Sequence, residues 1–135
     1  MSILGKRKGR PISRIQFDVI LKRFLVFLKR ELRLTYDIPI IIIDDSDFAK
    51  KIEAFGEISK DNIIHLSIIN RHPMDIFRTL AHEYVHYKQH IEKGYDDKRY
   101  NAGSPRENQA NAKAGEIMRR YGQQHPELFD YMCVK

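Results

Sequence analysis

The chain has 135 residues, 42% of them hydrophobic, and its 24 Lys/Arg outnumber 18 Asp/Glu for a formal net charge of +6. That length suits one small domain with its own core. The single cysteine, Cys133, excludes an internal disulfide, and the longest apolar run, Ile38 to Ile43, is too short to span a bilayer. The basic opening is followed by polar residues and not by an apolar signal segment, so a cytoplasmic location is expected.

The charge is unevenly spread. Residues 1–36 hold ten Lys/Arg and two Asp/Glu, a balance of +8, whereas the remaining 99 hold fourteen and sixteen, a balance of −2. Residues 1–14 therefore read as a basic flexible arm and 15–135 as a single domain. Within the arm, Lys6-Arg7-Lys8-Gly9-Arg10-Pro11 resembles an AT-hook core, which lays arginine into an A·T-rich minor groove. On that reading DNA or another polyanion is a partner. The competing reading is a plain solvated tail.

Along the chain, apolar residues at helical spacing (Val19, Ile20, Phe24, Phe27, Leu28, Leu32) predict an amphipathic helix from Ile15 to about Leu34. Ile38 to Ile43 is β-branched and bounded by Asp44-Asp45, as a buried strand would be. Lys51–Ser59 and Asn62–Ile69 read as two strands of a hairpin around Lys60-Asp61. A helix follows from about Met74 to Lys93, with Pro73 near its start and Gly94 after its end. A further helix is capped by Ser104-Pro105 and runs to about Tyr121, with Gly122 closing it. Pro126 to Met132 reads as a short helical tail. The fold class expected is α+β.

The helix from Met74 to Lys93 contains His82-Glu83-Tyr84-Val85-His86, an HExxH sequence. Residues four apart lie one above the other, about one turn along the axis, so both imidazoles can point at one Zn²⁺. Glu83, about 100° round, stands beside the ion as a general base for water, not as a ligand. Phe77, Leu80, Tyr84 and Ile91 form the opposite, apolar arc. A catalytic zinc needs a third protein ligand. His90 lies about 12 Å along the axis from His82 and cannot join the same ion, and Gln89 lacks the glycine that would turn the chain to a ligand further on.

Glu107 is the expected third ligand, because it is in register with Ala110, Ala114, Met118 and Tyr121, the face that should pack inward. Ser104-x-x-Glu107 is equally the spacing of a capping box, and Asp96 or Asp97 stands in reserve as ligand. Asn111, one turn beyond Glu107, could accept the second ring N–H of a ligand histidine. His65 and His72 are read as structural histidines. Tyr95 and Tyr100 lie between the two helices. Tyr100 is a candidate oxyanion donor, with simple packing as the alternative.

Phe77-Arg78-Thr79-Leu80-Ala81-His82-Glu83-Tyr84-Val85-His86, followed by Glu107-x-x-Ala110-Asn111, resembles the two site helices of the ImmA/IrrE-type zinc metallopeptidases. The likeness covers roughly residues 55–118. It implies a minimal zincin-like domain: an N-terminal helix, a three-stranded sheet, the HExxH helix and a second helix bearing a ligand. It also implies Zn²⁺ on His82, His86 and Glu107, Glu83 as catalytic base, and cleavage of a cytoplasmic protein or peptide, in some members a transcriptional repressor. In such domains the substrate pairs with the edge strand above the zinc helix, a role that would fall to part of Asn62–Ile69. The alternative function, of a different class, is a nucleic-acid-binding accessory protein whose zinc site is structural or vestigial.

Overall fold

The computed structural model describes residues 10–44 and 55–134. In chain order the elements are β1 (Arg10–Ile12), α1 (Arg14–Leu32), β2 (Ile40–Ile43), β3 (Gly56–Ile58), β4 (Ile64–Ser67), α2 (Pro73–Lys93), α3 (Pro105–Gln124), a 3-10 turn (Pro126–Asp130) and β5 (Tyr131–Val134). The class is α+β. β2, β4 and β3 form one sheet in that order, β2 parallel and β3 antiparallel to the central β4. β1 and β5 form a separate parallel pair. No helix among the described residues is long and apolar enough to cross a membrane.

Local chemistry sets the helix ends. Ser13 caps α1 through a reciprocal pair: its Oγ accepts from Gln16 N at 3.1 Å while its own N–H donates to Gln16 Oε1 at 3.0 Å. The chain leaves α1 with Arg33 in the left-handed region, φ 56°. Pro73 opens α2 where its missing N–H is no loss, and Gly94 closes it at φ 84°.

One apolar core joins the three helices to the sheet. Phe24 stacks on Phe77 with centroids 4.5 Å apart, and Tyr121 meets Phe24 edge-on at 4.9 Å, so α1, α2 and α3 share a single aromatic contact. Ala110 and Ala114 are buried on the face of α3 that meets α2, and side chains this short let the two helix backbones approach closely. Ile58, Ile64 and Leu66 seal the sheet against the helices. β3 comes very close to α2: a Cβ at Gly56 would lie 2.5 Å from Thr79 Cγ2 and 3.7 Å from Glu83 Cγ. Arg71, also buried, ties the layers by donating to Ser67 O (2.7 Å), Phe55 O (3.3 Å) and the Asp75 carboxylate (3.0 Å).

Several expectations change. Arg10–Ile12 form a strand, and Ile12 is buried, so the folded unit starts before residue 15. Arg10 lies over the Tyr131 ring, 5.1 Å from its centroid, which occupies part of the AT-hook-like segment; the rest of that segment, residues 6–9, lies outside the described residues. Among the described residues β2 is an edge strand, with Ile41 exposed, and not a buried one. The hairpin turn falls as expected, Asn62 taking φ 60° and donating to Ser59 O, but residues 51–54 of its first strand lie outside the described residues. α3 continues through Gly122 to Gln124, and Gly122 serves close packing instead of closing the helix: Phe129 lies 3.1 Å from where its Cβ would be. The expected helical tail is a 3-10 turn followed by β5, whose register puts Val134 opposite Ile12. Val19 and Ile91, assigned to apolar faces, are exposed.

His90, on the last turns of α2, is buried with Nδ1 3.0 Å from Asn62 Oδ1 and with Nε2 unpartnered among the described residues. Burial, with Arg99, His86 and Arg106 adding positive charge and Asp96 opposing them, lowers its pKa to about 4. In the unfolded chain it titrates near ~6.5. Between those values the unfolded chain binds a proton that the folded one does not. Stability is therefore full above the unfolded value and falls as pH drops through this window. Thermal melts at pH 5 and 7 check this: His90→Gln should lose less stability on acidification than the native chain, and equal losses would refute it.

Candidate metal centre

α2 carries His82 and His86 one turn apart, and α3 brings Glu107 across to them. The three donor atoms converge: His82 Nε2 and His86 Nε2 are 3.0 Å apart, and Glu107 Oε1 lies 2.7 Å from the first and 3.1 Å from the second. His86 is fully buried, while His82 and Glu107 keep 20% and 17% of their side chains exposed, leaving one side of the cluster open. These are the His/Cys/Asp/Glu side chains that come together in metal-ligand geometry among the described residues.

The capping box at Ser104 is only half formed. Ser104 Oγ does accept from Glu107 N at 3.1 Å. The reciprocal half is missing, since Ser104 N donates to Asn101 O while the Glu107 carboxylate lies on the two imidazoles. One residue thus has its backbone capped and its carboxylate directed to the cluster. The reserve residues are elsewhere: Asp96 Oδ1 accepts from Lys98 N at 2.9 Å, and Asp97 is exposed. His72 caps α2, its Nδ1 accepting from Met74 N at 3.1 Å. His65 stands across from Glu57, with 3.9 Å between Nδ1 and the carboxylate.

The donor set can be tested for a cation from its hydrogen bonds. Gln89, buried three residues beyond His86, donates through Nε2 to the Arg106 carbonyl at 3.0 Å, and a carbonyl can only accept. That fixes the amide so that Gln89 Oε1 faces His86 Nδ1, 2.8 Å away, and Nδ1 carries the proton. A neutral His86 then presents a lone pair at Nε2 toward the Glu107 oxygen, and burial does disfavour its charged form. Two acceptors 3.1 Å apart need a proton or a cation between them. Tetrahedral bonds of ~2.0–2.1 Å would separate donors by about 3.3 Å, so the set would receive zinc after an expansion of about 0.2–0.6 Å.

Gln89 is the site residue that the sequence reading missed. It stands where Asn111 was expected; Asn111 itself is exposed. Partners that orient a ligand ring are typically worth 10–100-fold in metal affinity. Gln89→Leu should therefore weaken zinc binding by about that factor while leaving helix content unchanged, as read by chelator competition and circular dichroism. Unaltered affinity would remove Gln89 from the site.

Glu83 lies beside the cluster, 2% exposed, and accepts a hydrogen bond from the Tyr100 hydroxyl. Burial raises its carboxyl to about 7, against the downward pull of the Tyr100 hydrogen bond and the Arg99 charge. Tyr100 packs edge-on against His86, with ring centroids 4.8 Å apart, and its hydroxyl also accepts from Ile58 N at 3.0 Å. Burial and the Glu83 charge hold that phenol well above its ordinary pKa. The hydroxyl is thus shared between Glu83 and Ile58 N of β3.

The strand beside Glu83 is β3, not the Asn62–Ile69 segment expected to meet a substrate. β4 is flanked on both sides, so among the described residues the free edge on this side is that of β3. Set against known proteins, the chain matches no family model, no curated protein and no solved structure.

Proposed function

We propose that this protein is a zinc-dependent peptidase acting on extended polypeptide, with a zincin-like arrangement of β3, α2 and α3. One observation carries the reading: a carboxylate from α3 meets two imidazoles of an HExxH helix, with the buried Glu83 carboxylate beside them. His82, His86 and Glu107 would hold the ion, a donor set that zinc accepts readily. Zinc bound there supplies Lewis acidity toward a carbonyl and toward water. Glu83 takes the proton from the attacking water and returns it to the departing amine, a task suited to a carboxyl whose pKa burial has lifted toward neutrality. Gln89 holds His86 in the tautomer that leaves Nε2 free. The likeness of these residues to ImmA/IrrE-type peptidases supports the same chemistry. A closed structural zinc site has no use for a buried base at its side. The test is release of new amino termini from an unfolded protein such as casein by zinc-loaded native chain. Absence of zinc-dependent cleavage across a broad peptide panel would refute the reading.

A further inference from the structure

The segment joining α2 to α3, residues 94–104, has Gly94 at one end (φ 84°) and Gly103 near the other (φ 80°). Between the two glycines, Arg99 alone is buried, with Asp96 and Tyr100 half-buried. The segment is held to the rest of the molecule where β3 passes Glu83. Tyr100 Oη accepts from Ile58 N at 3.0 Å and donates to Glu83, and Arg99 Nη2 donates to Ile58 O.

The outward positions of β3 follow from its register. Glu57 pairs with His65, Phe55 O accepts from Ser67 N, and Ser59 N donates to Ile63 O, so residues 55, 57 and 59 turn their backbone groups to β4. Alternation then turns the N–H and C=O of Gly56 and Ile58 outward, to the edge that an added strand would use. Both outward groups of Ile58 are taken by Tyr100 and Arg99, and the same tyrosine occupies an oxygen of Glu83. An extended chain cannot pair with β3 past Gly56 while these contacts stand.

We propose that residues 94–104 form a strap that closes the β3 edge and engages Glu83, and that a polypeptide substrate must displace it. The inference rests on the peptidase reading for its consequence, though not for its geometry. The strap is built to let go. Its anchor Arg99 is a buried guanidinium whose Nε has no partner among the described residues, and release returns that group to water. Within the segment, Ser104 Oγ donates to Arg99 O at 3.1 Å and Arg99 lies over the Tyr95 and Tyr100 rings at 4.9 and 4.3 Å; outside it, Arg106 Nη1 donates to Gly94 O at 2.6 Å, and Tyr95 and Tyr100 pack on His90 and His86. The internal contacts travel with the segment, so it can lift as a unit about its glycines by giving up the ring packing on His86 and His90.

Two measurements on the full, zinc-loaded chain test this. The first is amide hydrogen exchange at Ile58. If the strap opens without global unfolding, Ile58 N exchanges at least ~100-fold faster than the Glu57 and Ser59 amides bonded to β4, and Tyr100→Phe removes its remaining protection. Protection of Ile58 equal to that of its neighbours, in native and variant alike, would overturn the strap whatever the protein cleaves. The second is cleavage of labelled casein by native, Tyr100→Phe and Arg99→Gln proteins, with Glu83→Gln as blank. Each hydrogen bond lost, at about 1.4 kcal/mol, shifts the closed-to-open ratio about tenfold, so kcat/KM should rise by up to that factor in Arg99→Gln and by more in Tyr100→Phe, which loses two, at unchanged zinc content. Variants that lose strap protection yet cleave no faster than native would overturn the inhibitory role. If Ile58 exchanges locally but no form cleaves anything, the peptidase reading falls and the strap remains as a lid over the metal centre.

Discussion

Glu83→Gln should abolish cleavage while leaving the metal in place. Glutamine keeps the shape of the side chain and can still receive the Tyr100 hydroxyl at its carbonyl oxygen, so the packing of Glu83 between β3 and α2 survives. What it loses is the ability to take a proton, and a positioned base contributes on the order of 10²–10⁴-fold in rate. Turnover should fall by at least that factor, with zinc stoichiometry unchanged and a melting temperature close to native. Activity within a few-fold of native would show that Glu83 is not the base, whereas lost zinc would show that it is a ligand.

The second large effect is on the metal itself. His82→Ala, His86→Ala and Glu107→Ala each remove one of three converging donors. Structural zinc sites gain roughly 10–16 kcal/mol over four ligands, so one ligand should be worth roughly 3–4 kcal/mol, or two to three decades of affinity. Zinc should also raise the native melting temperature by about 10 °C at a free concentration 100-fold above its Kd, since linkage then supplies ~2.7 kcal/mol. That increment should vanish in the three ligand variants and persist in His90→Ala, Asp96→Ala and Asp97→Ala. A Glu107→Ala protein that keeps full zinc affinity would remove α3 from the site.

The features readable beforehand were those with a period. Phe77, Leu80 and Tyr84 on α2, and Ala110, Ala114, Met118 and Tyr121 on α3, repeat at helical spacing and are buried as that spacing demands. The same periodicity brought Glu107 onto the inward face of α3, and the four-residue interval brought His82 and His86 together. Periodicity says nothing about where a helix outruns its partner, which is why Ile91, on the last turns of α2, was assigned to the core and is exposed. A run of four isoleucines reads alike on an edge and in the middle of a sheet, so nothing in it marks β2 as an edge strand. β1 and β5 are three and four residues long, and their partners lie more than a hundred positions apart, beyond any local signal. Gln89 was hidden by its ordinariness: a helix-forming residue acquires a role only when Arg106 O and His86 Nδ1 are brought to its two ends. The capping spacing at Ser104 could not choose between two uses of Glu107 because the backbone takes one and the carboxylate the other.

The close seating of α3 on α2 carries a further consequence. Two of the converging donors belong to one helix and the third to the other, so the bore of the cluster is fixed by the interhelical gap and not by any single side chain. Ala110 and Ala114 act as spacers that define a calibre. A bulkier residue at Ala114 would pry the helices apart and open the 2.7–3.1 Å triangle of donor atoms. For an ion held there, preference would then pass from smaller to larger, although no donor atom had been exchanged. On the zinc-peptidase reading, the size of ion this chain accepts would thus depend on two methyl groups one turn apart, on a face with no chemistry of its own.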